Sequence, residues 1–223
     1  MRARGVSAAL DTLSDPALTL LVVGCTAAGI AAFLLDVAGI VRMPWTISFV
    51  SLPALVAVIA IAVWARRVAR EPFFNRLVVG LVAGIIATLA YDAVRWAIQE
   101  TAPLDYDGFR SINIFGSLIL SRPESAVSAR VAGWTYHFWN GVSFGVMYAL
   151  VAGPARWYWG LAWGMALELM MVSVYPVAFA IQRSDPAFLA ISMTGHAAYG
   201  AVLGLLAERW CDRGPLPVRR AAW

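Results

Sequence analysis

Seven side chains carry the chemistry open to this sequence: Asp36, Asp92, Arg95, His137, Asn140, Glu168 and His196. Each falls within or at the edge of an apolar stretch. An ionisable group at membrane depth costs at least about 2.5 kcal/mol, so such groups face a bundle interior or a cavity and have partners. Asp36, Asp92, His137 and His196 are each expected about one and a half to two turns from one end of their helices, roughly 7 to 13 Å deep at 1.5 Å per residue. Arg95 is on the same helical face as Asp92, which predicts an intrahelical ion pair. Asn140 is spaced to orient His137, and Glu168 lies deeper, near mid-membrane.

Carboxylates and imidazoles at one depth are the parts of a proton or cation relay, with Glu168 as an inner step. Neutral imidazoles beside carboxylates also suit zinc, iron or copper. On that second reading His137, His196, Asp36 and Asp92 are metal ligands, or the two histidines hold a b-type haem between parallel helices. A third reading is structural: the groups hydrogen-bond one another and fix helix register. No H-E-x-x-H, E-x-x-H or C-x-x-C-H spacing supports a metal, and Cys25 and Cys211 form no metal-type pair. Gly141 to Gly145 reads G-V-S-F-G, formally a hydrolase nucleophile motif, and His196 resembles the sixth-helix histidine of rhomboid proteases. Ser143 lies deeper than His196, however, and the second apolar stretch has no histidine, so a non-enzymatic role is expected. All 17 basic residues are arginine. Without lysine there is no retinal Schiff base, no pyridoxal-phosphate chemistry and no Walker-type phosphate loop.

The elements that must position these groups are membrane helices. Hydrophobic residues make up 61% of the 223-residue chain and charged residues 13%, with mean hydropathy +0.73, far from the balance of a soluble domain. Apolar stretches of about 20 residues predict an all-α, polytopic six-helix transmembrane bundle forming a single domain over residues 1–223. The helices are expected near 17–41, 46–65, 77–98, 131–152, 157–180 and 188–206, the first a retained helix and not a cleaved signal. A 99–130 outer loop carries a short apolar segment, 112–120, expected to lie in the interface or to act as a lid. Eleven arginines fall on the side of both termini and five on the other, which places both termini in the cytoplasm. The arginines form no stripe, so despite a pI near 9.4 no nucleic acid is expected.

Internal repeats organise the stretches. A shift of 56 positions superposes Val22, Val23, Gly24, Ala27, Ile30, Ala31 and Asp36 on Val78, Val79, Gly80, Ala83, Ile86, Ala87 and Asp92. A shift of 59 superposes His137, Gly141 and Gly145 on His196, Gly200 and Gly204. Gly160, Leu161 and Gly164 match Gly80, Leu81 and Gly84, and three tandem helical hairpins are the natural reading. The glycines below each histidine let helices approach closely or leave room for a flat ligand.

The runs G-L-V-A-G-I-I-A-T-L-A-Y-D-A-V-R (80–95), H-F-W-N-G-V-S-F-G-V-M-Y-A-L (137–150), G-L-A-W-G (160–164) and G-H-A-A-Y-G-A-V-L-G-L-L (195–206) resemble the YagU-like group of small bacterial inner-membrane proteins. The likeness covers residues 77–206 and implies a bacterial multi-pass inner-membrane protein, with no catalytic residue. The expected function is the binding or passage of protons, cations or a small polar solute. The alternatives are a haem or metal redox protein and an assembly subunit without a ligand. The partners expected are the lipid bilayer and either a second copy of the chain or a membrane subunit.

Overall fold

The computed structural model describes residues 15–102, 106–179 and 185–212. These form seven helices: α1 (Asp15–Val37), α2 (Met43–Arg67), α3 (Glu71–Thr101), α4 (Arg110–Leu120), α5 (Val127–Ala152), α6 (Trp157–Phe179) and α7 (Pro186–Trp210). Among the described residues there is no strand. Expectations that fall on 1–14, 103–105, 180–184 and 213–223, including both termini and the 157–180 helix's last residue, lie outside the described residues.

The chain is an all-helical membrane protein. Five helices, α1, α2, α3, α6 and α7, are long and apolar enough to cross a bilayer. The expected six reduce to five because α5, although 26 residues long, dilutes its apolar residues with Arg130, His137, Asn140 and several small polar side chains. It is also the helix most enclosed by others, packing on α1, α3 and α4.

Helix limits follow local chemistry more than hydropathy. α1 stops at Val37, short of the apolar run's end at Val41, because Gly39 turns the chain at φ +68, a conformation glycine adopts without strain. α2 opens with Pro44 in its first turn and widens into a π-turn over Ile47–Ser51. Pro53 lacks the N–H that Phe49 would accept, and the wider turn absorbs that loss. α3 runs beyond 77–98 at both ends, since polar residues such as Asn75 and Gln99 stay helical after the hydropathy has fallen. α7 begins at Pro186, where Asp185 accepts from the N–H groups of Ala187 and Phe188 and caps the helix.

Glycines set the helix crossings. A Cβ at Gly80 would stand 2.6 Å from Val146 Cα, and one at Gly145 the same distance from Gly80 O, so α3 and α5 meet backbone to backbone. Gly160 and Gly164 of α6 meet Gly200 and Gly204 of α7 in the same way, and Gly116 of α4 meets Ala129 and Gly133 of α5. The repeated glycines thus pack helices within one chain and leave no slot for a flat ligand. The 112–120 segment is part of α4 and is docked firmly on α5, with Ile112, Phe115 and Gly116 buried.

Candidate functional site

α3 presents Asp92 and Arg95 on one face, near the end of the bundle that carries α4. Arg95 Nη2 donates to Asp92 Oδ1 at 2.6 Å, and Nη1 donates to the backbone oxygen of Gly108 at 2.6 Å. The guanidinium carbon lies 4.3 Å from the Tyr91 ring centre and 4.5 Å from that of Phe109. Two aromatic faces and two anionic or carbonyl acceptors replace the water this cation has lost. From α5, His137 Nε2 approaches both Asp92 oxygens at 3.0 and 3.1 Å. Asp92 therefore serves a fixed cation and a titratable imidazole at once.

A second carboxylate–histidine pair lies between α6 and α7. Glu168 Oε2 is 2.7 Å from His196 Nδ1 and accepts from Ser192 Oγ at 2.6 Å. The glutamate side chain is 2% exposed and the histidine 9%. With its proton on Nδ1 the ring donates to Glu168 and to the Ser192 backbone oxygen, 3.0 Å away. Glu168 Oε1 is buried with no partner among the described residues. Tyr91 stands between the two pairs, its ring centre 5.9 Å from that of His137 and 4.9 Å from that of His196.

The pairs repeat with the helices that bear them. α3 and α5 hold Gly80, Gly84, Asp92 and His137; α6 and α7 hold Gly160, Gly164, Glu168 and His196. In each half a glycine-bearing helix supplies the carboxylate and a His-x-x-x-Gly-x-x-x-Gly helix supplies the imidazole. The halves differ in charge. Asp92 is paired with the fixed cation Arg95, whereas among the described residues Glu168 is paired with an imidazole and a hydroxyl and with no arginine.

Both histidines line a cavity of about 70 Å³, together with Tyr91, Asn140, Tyr175 and Tyr199. That is room for a few water molecules, at about 10–15 Å³ each. A second cavity of about 10 Å³, sized for one water, lies under the α3–α4 connection against Arg95, Tyr106, Ser111 and Ser192. Arg95 Nε is buried without a partner among the described residues. Tyr91, Met171 and Tyr175 border both cavities. Tyr106 lies outside the spans, and burial pushes its phenol up to about 12.

Of the seven residues expected to form one site, Asp92, Arg95 and His137 meet, Glu168 and His196 meet, and two do not join either group. Asp36 sits at the end of α1, where its Oδ1 accepts from Met43 N at 2.9 Å. It ties the start of α2, because Gly39 and the turn after it bring that backbone N–H back over the helix end. Asn140 lines the larger cavity but does not orient His137; its Nδ2 donates to Tyr136 O at 3.0 Å, and its Oδ1 is buried without a donor among the described residues. Tyr91 and Ser192 were not singled out by sequence. Ser192 precedes His196 by one turn, and Tyr91 adjoins Asp92, so each stood next to a candidate without a polarity signal of its own.

The metal and haem readings fit these residues poorly. Among the described residues no three of His, Cys, Asp and Glu come together. Asp36 lies apart, Asp92 is already paired with Arg95, and a cavity of about 70 Å³ is far smaller than a porphyrin. Among the described residues His196 bonds Glu168 and the Ser192 backbone oxygen through Nδ1, and no hydrogen bond joins it to Ser143.

The model of a family of unknown function, DUF6789, matches residues 74–217, and the chain belongs to that family. The match takes in both carboxylate–histidine pairs and leaves α1 and α2 outside. No curated protein and no solved structure matches the chain, and the likeness to the YagU-like group has no counterpart in these comparisons.

Proposed function

We propose that this protein binds and passes protons through a buried two-pair site, with the cavity between the pairs holding a small solute or cation. The proton enters at Glu168–His196, crosses the Tyr91-bordered cavity and reaches His137–Asp92 and the water-sized cavity beside Arg95. The observation that carries this reading is the Glu168–His196 pair, 2.7 Å apart and at most 9% exposed, with no fixed cation paired to it among the described residues. An isolated buried carboxylate is costly by several kcal/mol, and binding a proton removes the cost. On this reading α5 is the sixth crossing, since its polar residues face neighbouring helices. The membrane is a bacterial cytoplasmic membrane with both termini inside, as the arginine excess at the end of Arg66, Arg67, Arg70, Arg76, Arg156 and Arg209 supports.

The test is proton flux into proteoliposomes loaded with a pH-sensitive dye, after an imposed pH gradient. Wild-type protein is expected to dissipate the gradient faster than empty vesicles, and Glu168→Gln and His196→Gln to lose that excess. Flux equal to empty vesicles, or unchanged flux in both variants, overturns the reading.

A further inference from the structure

Each imidazole of the two pairs turns one nitrogen toward acceptor oxygens. His137 Nε2 faces both oxygens of the Asp92 carboxylate, which also accepts from Arg95. His196 Nδ1 faces Glu168 Oε2 and the backbone oxygen of Ser192. A hydrogen bond there needs the ring proton on that nitrogen, which makes the other nitrogen of a neutral ring an acceptor. His137 Nδ1 and His196 Nε2 then carry lone pairs, and neither has a hydrogen-bond partner among the described residues. Both rings line the cavity of about 70 Å³.

The rest of the polar lining leans the same way. Thr88 donates its hydroxyl proton to Gly84 O, and Tyr199 donates its own to Gly141 O, so each of these oxygens keeps only lone pairs. The hydroxyls of Tyr91 and Tyr175 can donate or accept. No arginine is among the lining residues. A ligand matched to these walls brings several N–H donors and no lone pair of its own. An anion would set acceptors against acceptors. Sodium and potassium are hard cations suited to oxygen shells, for which imidazole nitrogen is a poor replacement. An ammonium group carries at least three donors and no acceptor. It also suits the rings of Phe115, Phe144 and Tyr91 that border the cavity, since aromatic faces attract cations.

We infer that the cavity binds ammonium or a short primary ammonium cation such as methylammonium, held by the imidazole lone pairs of His137 and His196. This rests on the cavity assigned above as the working site and names the class of cation it takes. The carboxylates act through the rings: the hydrogen bond from each imidazole to Asp92 or Glu168 fixes the tautomer and makes the opposite nitrogen a stronger acceptor. Leu167 and Met171, on the α6 side of the lining, give a methyl group an apolar contact.

The experiment is isothermal titration calorimetry on the full chain in mild detergent near neutral pH, with methylammonium chloride as the probe and ionic strength held constant. Saturable binding is expected. Ammonium competes for it, while sodium, potassium and tetramethylammonium, a cation without N–H groups, do not. His137→Phe removes one lone pair while Asp92 keeps Arg95, and is expected to weaken binding about tenfold. Leu167→Trp intrudes on the cavity and also weakens binding, whereas Leu169→Trp, on an exposed face, leaves it unchanged. The absence of saturable methylammonium binding, equal competition by potassium or tetramethylammonium, or wild-type affinity in both His137→Phe and Leu167→Trp overturns the inference. The comparison of cations uses wild-type protein, so it decides the matter even if a variant fails to fold. Selective methylammonium binding without proton flux removes the proton reading alone; flux without selective binding removes the ammonium site alone.

Discussion

Asp92→Asn isolates the energetic role of the Asp92–Arg95 pair. The Arg95 and Asp92 side chains are 4% and 13% exposed and 2.6 Å apart. Neutralising the aspartate leaves a buried guanidinium with only neutral acceptors, the new amide oxygen and the Gly108 carbonyl, and two rings. Removing one partner of a buried pair costs about 3–5 kcal/mol. In a chain of this size each kcal/mol shifts the midpoint by about 2–4 °C, so the expected fall is on the order of 6–20 °C. Arg95→Met costs less, because His137, 3.0 Å from Asp92, still hydrogen-bonds the carboxylate. Asp92→Asn combined with Arg95→Met removes both charges and recovers most of the loss, a coupling that a double-mutant cycle reads directly. The assay is thermal unfolding in mild detergent, followed by the amount of protein still eluting as monodisperse on gel filtration. An Asp92→Asn variant as stable as wild type, or a double variant no better than Asp92→Asn alone, would refute the reasoning.

Gly160→Ala drives a methyl into the α7 backbone at Gly204 and is expected to cost about 1–3 kcal/mol, while Gly24→Ala meets nothing and leaves the melting point unchanged. Asp36→Ala removes the acceptor of Met43 N and is expected to cost about 0.5–2 kcal/mol in the same assay, with proton flux intact. Cys211 is buried, and burial pushes its thiol up to about 12, so its maleimide labelling at mildly alkaline pH should be about three orders of magnitude slower than that of an ordinary thiol. Folding raises the pKa of Cys211 and of Tyr106 to about 12, from 9.0 and 10.0 respectively, so the unfolded chain loses these protons first. The stability they contribute is full below about pH 9 and is lost as pH rises toward about 12, which melting curves across that window will register.

Much of this arrangement is legible in the sequence. Intramembrane polar residues are rare and costly, so Asp92, Arg95, His137, Glu168 and His196 stand out by type alone, and the spacing of Asp92 and Arg95 already places them on one face. The glycine spacings mark the two helix pairs. What one chain cannot display is helix rotation and partner choice. Asp36 matches Asp92 in the repeat, but a turn at Gly39 gives it a backbone N–H to satisfy, so equal depth does not become equal role. Asn140 has the spacing to reach His137 and instead bonds the carbonyl one turn back, since that acceptor is nearer. Ser192 and Tyr91 carry no signal in hydropathy or repeat, and only the packing of α3 against α7 makes them part of the site. The apolar residues of 131–152 read as a sixth crossing, and α5 falls short of a span by composition because its polar side chains pack among other helices.

The central claim is that Glu168 and His196 share a proton that the bundle takes up and releases. Proton uptake by the protein in nanodiscs, titrated with an indicator dye in weak buffer, tests this most directly. Glu168→Gln is expected to bind about one proton per chain fewer than wild type across the titration. Superimposable titrations of wild type and Glu168→Gln would contradict it.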